Sequence, residues 1–200
     1  MNYNTQTSTP TFPTQDKAQT EAFLTLLDED AETFFFTAYD DDKNHSPKLK
    51  PIQIYDSLEN AWPLLCEFNA MGYGIFVTVN EIPIGKRRQA KNVTRVRAVF
   101  RDFDTPELPC PQMPLGTIRV ESSKGKYHDY LPVAEGFPLE LFKPCQKALI
   151  DNYGSDPQVS DLSRVMRLPG TINNKPDAGQ HLVRIVQNDT AAPYTVKQIL

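Results

Sequence analysis

The sequence contains no unbroken apolar run of about 18 residues or more, and its start, Met1-Asn2-Tyr3-Asn4-Thr5-Gln6, has no charged stretch followed by an apolar one. Nothing in it directs the chain into or across a membrane, so the expected compartment is cytosolic. Cysteine is scarce: Cys66, Cys110 and Cys145 form no C-x-x-C pair and no metal-ligand spacing, which excludes a disulfide framework and a zinc site and fits reduced thiols. His45, His128 and His181 are the only histidines, and no His-x-His occurs. The phosphate-binding G-x-x-x-x-G-K-[ST] loop is also absent, so a P-loop nucleotide-hydrolase reading has no support. There is no internal repeat.

What remains is a chain of 200 residues with 40% hydrophobic content, enough to bury a sizeable core. The net charge of −4 is unevenly spread. Residues 1–42 carry nine acids against the single base Lys17, whereas residues 86–128 carry ten bases against four acids. Positive charge is concentrated around one acidic pair, Asp102 and Asp104. A basic frame around such a pair suits a polyanionic substrate, although Lys86-Arg87-Arg88-Gln89-Ala90-Lys91 reads equally as a solvated loop.

Asp102-Phe103-Asp104 ends the β-branched, apolar run Val93-Thr94-Arg95-Val96-Arg97-Ala98-Val99-Phe100. Side chains alternate faces along a strand, so Asp102 and Asp104 are expected to project together from its end. Two carboxylates side by side repel unless a cation or a proton neutralises them, and hard oxygen ligands suit Mg²⁺ or Mn²⁺ bound jointly with substrate phosphates.

The pattern predicts an α+β fold. Residues 1–13 read as disordered. A helix over Gln15–Leu27 and a strand over Thr33–Tyr39 form a small N-terminal αβ extension, residues 14–55, that includes a loop from Asp40 to Pro51 and packs on a core spanning 56–200. In that core, the pattern predicts a helix over Asn60–Met71, with Pro63 in its first turn, and strands over Gly74–Asn80 and Thr94–Phe103 forming a hairpin. A proline-rich connection (Pro106, Pro109, Pro111, Pro114) leads to strands over Thr117–Ser122 and Tyr127–Val133. A helix over Leu139–Tyr153, a loop with a short helical segment over Asp156–Leu168 and a strand over His181–Val186 follow. Pro193–Leu200 reads as the opening of a helix cut short, as in a domain excised from a longer chain.

Three further clusters accompany the acids. Glu121-Ser122-Ser123-Lys124-Gly125-Lys126-Tyr127-His128 places hydroxyls, ammonium groups, a glycine turn and an imidazole between two strands, which is phosphate-binding chemistry or an ordinary hairpin tip. In Asp161-Leu162-Ser163-Arg164-Val165-Met166-Arg167, Asp161 and Arg164 are either a local ion pair or a third metal-site carboxylate beside forked guanidinium groups of Arg164 and Arg167 for phosphate. Asn173-Asn174-Lys175 adds a phosphate or strand contact, or is a polar loop.

The ordered set of Asp102 and Asp104, then a serine-containing loop ending in His128, then Asp161 resembles the three motifs of archaeo-eukaryotic-type primases and primase-polymerases. The segments GYGIFVTVN, TRVRAVFRDFD, VESSKGKYHDY and DLSRVMRLPGTINNK are similar to those of mobile-element primase domains of the phage or plasmid replication-initiator type. The resemblance spans roughly residues 60–186. It implies an RRM-like antiparallel sheet core with flanking helices, and a template-directed nucleotidyltransferase that makes or extends primers on single-stranded DNA from NTP or dNTP. It further implies two Mg²⁺ or Mn²⁺ ions on Asp102, Asp104 and Asp161, with His128 contacting the triphosphate. Ser122, Ser123, Lys124, Lys126, Arg167 and Lys175 become nucleotide-binding residues, while Lys86, Arg87, Arg88, Lys91 and Arg164 follow the nucleic-acid strand. A C-terminal helical or helicase domain, and the cytoplasm of a bacterial or phage-infected cell, complete the expectation. Two other readings stand beside it: a metal-dependent nuclease, and a non-catalytic module binding single strands or an origin. A strand-nicking initiator wants paired histidines, which this chain lacks.

Overall fold

The computed structural model describes residues 13–105, 113, 117–188 and 192–200. The first twelve residues of the segment read as disordered, Cys110, and Pro106, Pro109, Pro111 and Pro114 of the connection lie outside the described residues. In chain order the regular elements are α1 (Lys17–Leu27), β1 (Phe34–Asp40), β2 (Ile52–Asp56), α2 (Leu58–Ala70), β3 (Tyr73–Thr78), β4 (Ala98–Phe103), β5 (Ile118–Ser123), β6 (Lys126–Pro132), α3 (Phe142–Tyr153), β7 (Val165–Arg167), β8 (Ile172–Asn173), β9 (His181–Leu182), β10 (Arg184–Asn188) and α4 (Val196–Ile199).

The α+β class with antiparallel sheets and flanking helices is as the sequence implied, and the strands divide between two four-stranded sheets, β2-β1-β3-β7 and β10-β5-β6-β4, with β8-β9 as a separate ribbon. One hydrophobic core joins them. Phe23 of α1, Phe36 of β1, Ile75 and Val77 of β3, Phe100 of β4, Tyr130 of β6 and Leu149 of α3 belong to a single buried cluster. The segment expected as an N-terminal extension shares that core, because β1 lies between β2 and β3. Its run Phe34-Phe35-Phe36 is buried throughout, as an interior strand requires.

Several local expectations change. The strands at 74–80 and 94–103 form no hairpin: β3 pairs with β1 and β7, β4 pairs with β6, and the long connection crosses between the sheets with only a bridge between Glu81 and Arg95. Hairpin turns are typically about 2–5 residues, and a dozen-residue loop leaves each apolar strand free to find a better partner. Ser57 caps α2 by accepting the Asn60 amide at 3.3 Å, so the helix begins earlier than expected and Pro63 falls in its second turn. Pro63 and Glu59, the residue whose carbonyl it leaves without a helical donor, are both exposed. The short helical segment expected between 156 and 168 is instead turns and the three-residue strand β7. Residues 52–56, to which no element was assigned, pair with β1 as β2.

Strand β4, which carries Asp102 and runs out just before Asp104, is the last strand of its sheet. Its outer hydrogen-bonding groups are met by side chains and turns. Gln146, fully buried on α3, accepts the Phe100 amide at 2.8 Å and donates to the Phe100 carbonyl at 2.9 Å and to the Val159 carbonyl at 3.1 Å. Beyond it, the Asp102 amide donates to Ser155 Oγ at 3.2 Å and the Asp102 carbonyl accepts the Asp156 amide at 2.9 Å. The backbone that aims Asp102 is therefore fixed on both sides. Gln146→Leu keeps the volume and strands the Phe100 amide and carbonyl in the core, so it lowers unfolding free energy by about 2–4 kcal/mol in urea titrations.

Candidate active site

The site forms where the end of β4 meets the β5–β6 turn and the first sheet. Antiparallel register sets Asp102 directly opposite His128, so both side chains leave the same face, with His128 Nε2 3.7 Å from Asp102 Oδ1. Asp104, two residues on, lines the same cavity of about 550 Å³, as alternation along the strand requires. The β5–β6 turn runs through Gly125 at φ 74°, a left-handed conformation suited to glycine, and brings Ser122, Ser123, Lys124 and Lys126 to the cavity wall. Lys126 Nζ is 3.5 Å from Asp104 Oδ1. Ser122 is buried, and its carbonyl accepts Asn173 Nδ2 at 2.8 Å, which ties β8 to the turn and places Lys175 at the rim.

The first sheet supplies the opposite wall through Tyr39, Asp41, Phe76 and Arg167. Arg167 is buried and makes a two-pronged pair with Asp41, Nη2 to Oδ1 at 2.7 Å and Nη1 to Oδ2 at 2.9 Å, while its guanidinium lies 4.8 Å from the Phe76 ring centre. Asp41 also accepts the Asn174 amide at 2.9 Å. It approaches the backbone so closely that a Cβ on Gly74 would sit 2.5 Å from its carboxylate oxygens, so this position requires glycine. Arg167, expected to bind nucleotide, thus lines the cavity with its charge already matched.

The remaining expected residues divide. Arg164 and Lys175 line the cavity; Asp161 does not, and its Oδ2 lies 2.9 Å from Arg164 Nε. Among the described residues no group of three or more His, Cys, Asp or Glu side chains is placed to hold a metal ion. Lys86, Arg87 and Lys91 are exposed outside the cavity. Arg88 turns inward, donating to Tyr39 Oη at 2.7 Å and to the Ser163 carbonyl at 2.9 Å, which fastens the basic loop beside the site. The sequence reading passed over Tyr39, Asp41 and Lys43, which lie on or just after a strand read only as core or in a loop, and took Phe76 for core. It also passed over Asp156, whose signal was a lone acid in a turn.

Electrostatics single out Asp102. Burial, then the neighbouring charges of Asp104 and Asp156, push its carboxyl up to about 7, only partly opposed by Arg164 and Lys175. Its Oδ1 is buried without a hydrogen-bond partner. Burial, with Arg167 and Lys175 adding to it, holds His128 down to about 3, so the ring is neutral and gives Asp102 no counter-charge. Buried carboxylate oxygen, a second carboxylate two residues away and cationic walls fit a hard divalent cation shared with substrate phosphate, which commonly takes one or two protein carboxylates.

Solved structures share this architecture. The primase-polymerase AEP domain of cyanophage S-2L superposes with a TM-score of 0.71 at 21% identity, covering 94% of this chain and 97% of that one. The fold is that of a primase-polymerase catalytic domain. The primase RepB′ gives a TM-score of 0.65 at 19% identity over 91% of this chain and 59% of its own length. The catalytic domain of RepB′, solved in complex with initiator DNA, gives 0.65 at 18% over 91% and 89%. Residues 111–200 match the family model of the RepB DNA-primase N-terminal domain. No curated protein sequence matches the chain.

For this primase-polymerase fold the raised pKa of Asp102 has a consequence of definite sign. A carboxyl whose folded pKa exceeds its unfolded value binds more protons when folded, so stability attributable to Asp102 is lost as pH rises from about 4 through about 7. At about pH 8 without divalent metal, Asp102→Asn therefore raises Tm; added Mg²⁺ or Mn²⁺ raises Tm of the wild type and leaves the variant unmoved, as differential scanning calorimetry reports. Arg167→Ala, which leaves Asp41 buried and unpaired, lowers unfolding free energy by about 3–5 kcal/mol in denaturant titrations.

Proposed function

We propose that this chain is a template-directed nucleotidyltransferase, a DNA primase or primase-polymerase that makes or extends primers on single-stranded DNA in phage or plasmid replication. The observation that carries the reading is Asp102: a buried carboxylate without a counter-ion, beside Asp104, on the wall of a cavity rimmed by Lys124, Lys126, Arg164 and Lys175. The primase-polymerase and RepB′ folds support it.

In this reading Asp102 and Asp104 hold the divalent ions, Mg²⁺ or Mn²⁺, with Asp161 as third carboxylate once Arg164 exchanges it for phosphate. Bound there, the ions supply Lewis-acid activation of a primer 3′-hydroxyl and charge neutralisation on the triphosphate. The primer 3′-hydroxyl loses its proton to water and its oxygen attacks the α-phosphorus, the bond to pyrophosphate breaks, and pyrophosphate leaves. Lys124, Lys126 and Lys175 bind phosphate oxygens as point charges, while Arg164 offers a fork. Ser123 and Ser122 lie beside them in the same turn. His128, neutral, presents an N–H donor to the triphosphate without adding charge to the site. Arg167, already matched by Asp41, acts through its position in the cavity wall and its stacking on Phe76. Lys86, Arg87 and Lys91 contact the template backbone, with Arg88 holding their loop in place. The protein acts in the cytoplasm of a bacterial or phage-infected cell.

Primer extension and de novo synthesis on single-stranded template, with Mg²⁺ or Mn²⁺ and both nucleotide types, test it. The wild type gives metal-dependent products, and the folded Asp102→Ala/Asp104→Ala variant gives none. Undiminished synthesis by that variant overturns the site, and absence of both synthesis and metal-dependent triphosphate binding in the wild type overturns the reading.

A further inference from the structure

Within the loop between β1 and β2, the stretch 43–50 inverts the charge of the sequence before it. The 42 residues before it hold nine acids and one base, yet residues 43–50 contain Lys43, Lys48, Lys50 and His45 and no acid. Lys43 lines the wall of the catalytic cavity. Lys48 and Lys50 are exposed, and none of the three lysines has an acidic partner among the described residues. Other lysines do: Lys17 pairs with Glu21 and Glu59, Lys126 with Asp104 and Lys147 with Asp151.

The loop is also organised from below. Asp40, whose side chain is 8% exposed, accepts the Asp42 amide at 3.1 Å, His45 Nδ1 at 2.8 Å and the Leu49 amide at 3.0 Å. A single carboxylate thus gathers both ends of the loop and displays the lysines on a fixed frame. Its neighbour Tyr39 accepts Arg88 from the other basic loop. Consecutive residues at the end of β1 therefore fasten two basic loops, one lining the cavity through Lys43 and the other exposed outside it.

We propose that residues 43–50 are a second contact surface for the sugar-phosphate backbone of a single nucleic-acid strand, with Lys48 and Lys50 binding phosphates outside the cavity and Lys43 binding the phosphate nearest the reacting end. This rests on reading the cavity as acting on a nucleic-acid strand. The ligand is a flexible polyanion: point charges spaced along an exposed loop match successive phosphates and carry no base specificity. Asp40 acts as a positioning residue.

The test is single-stranded DNA binding by fluorescence anisotropy as a function of salt, with nucleotide binding followed separately by a fluorescent deoxynucleoside triphosphate and Mg²⁺. For a single strand, each phosphate that the protein no longer neutralises flattens the slope of log K against log salt by about 0.7. Lys48→Ala/Lys50→Ala is expected to flatten it by about 1.4, with nucleotide affinity and Tm unchanged, and Lys48→Arg/Lys50→Arg to restore it. Asp40→Ala, which keeps every lysine, is expected to weaken strand binding in a variant whose Tm still shows a folded protein. An unchanged slope in the folded double alanine variant overturns the proposal, as does a loss confined to nucleotide binding. Because strand affinity is read without catalysis, failure here is distinct from failure of the synthesis assay.

Discussion

Buried carboxylates in this protein are matched by guanidinium groups where they support the fold, even on the cavity wall, and Asp102 at the cavity is left unmatched. Asp28 holds Arg95 and Arg97, Asp129 holds Arg101 and Arg119, and Asp41 holds Arg167. Each of these carboxylates is almost wholly covered, and each has a guanidinium against it. Asp102 is largely covered and has only a neutral imidazole 3.7 Å away. A carboxyl in that position holds its proton up to about pH 7, and a cation beside it favours the ionised form. The protein therefore carries an electrostatic deficit at one place, and the fold is built to hold the deficit still.

The holding is shared between the sheets. The second sheet supplies the acids, the imidazole and the lysine turn; the first supplies the wall that faces them. Asn173 ties the β8-β9 ribbon to the second sheet by reaching from β8 to the Ser122 carbonyl, and the Asp41–Arg167 pair joins the end of β1 to β7 within the first. This division explains why Gly74 matters at a distance from the acids: a side chain there displaces Asp41, and Arg167 loses its partner.

Asp102, Asp104, His128 and the Ser122–Lys126 turn were legible because strand alternation and a hairpin turn are local properties, and local pattern decided where their side chains point. The two-sheet division was not legible. β3 and β4 are both apolar runs, and which strands they join depends on long-range pairing that neither run encodes alone. β7, three residues long, is below the length at which periodicity registers, so Arg167 read as a free phosphate ligand when its partner lay 126 residues earlier, just past the end of β1. Asp161 illustrates the same limit from the other side: the i, i+3 spacing with Arg164 correctly marks an ion pair, and the pair occupies the carboxylate in this structure.

Gln146 has a consequence beyond the strand it steadies. A terminal strand normally offers a comb of unused amides and carbonyls to any extended chain that meets it, and this is a common seed of self-association. On β4 the comb is already filled: Phe100 by the Gln146 amide, Asp102 by Ser155 and the Asp156 backbone. One side chain and one turn act as a blunt edge. The strand that carries the acids is therefore closed to other polypeptides along its length, while its end stays open to whatever enters the cavity.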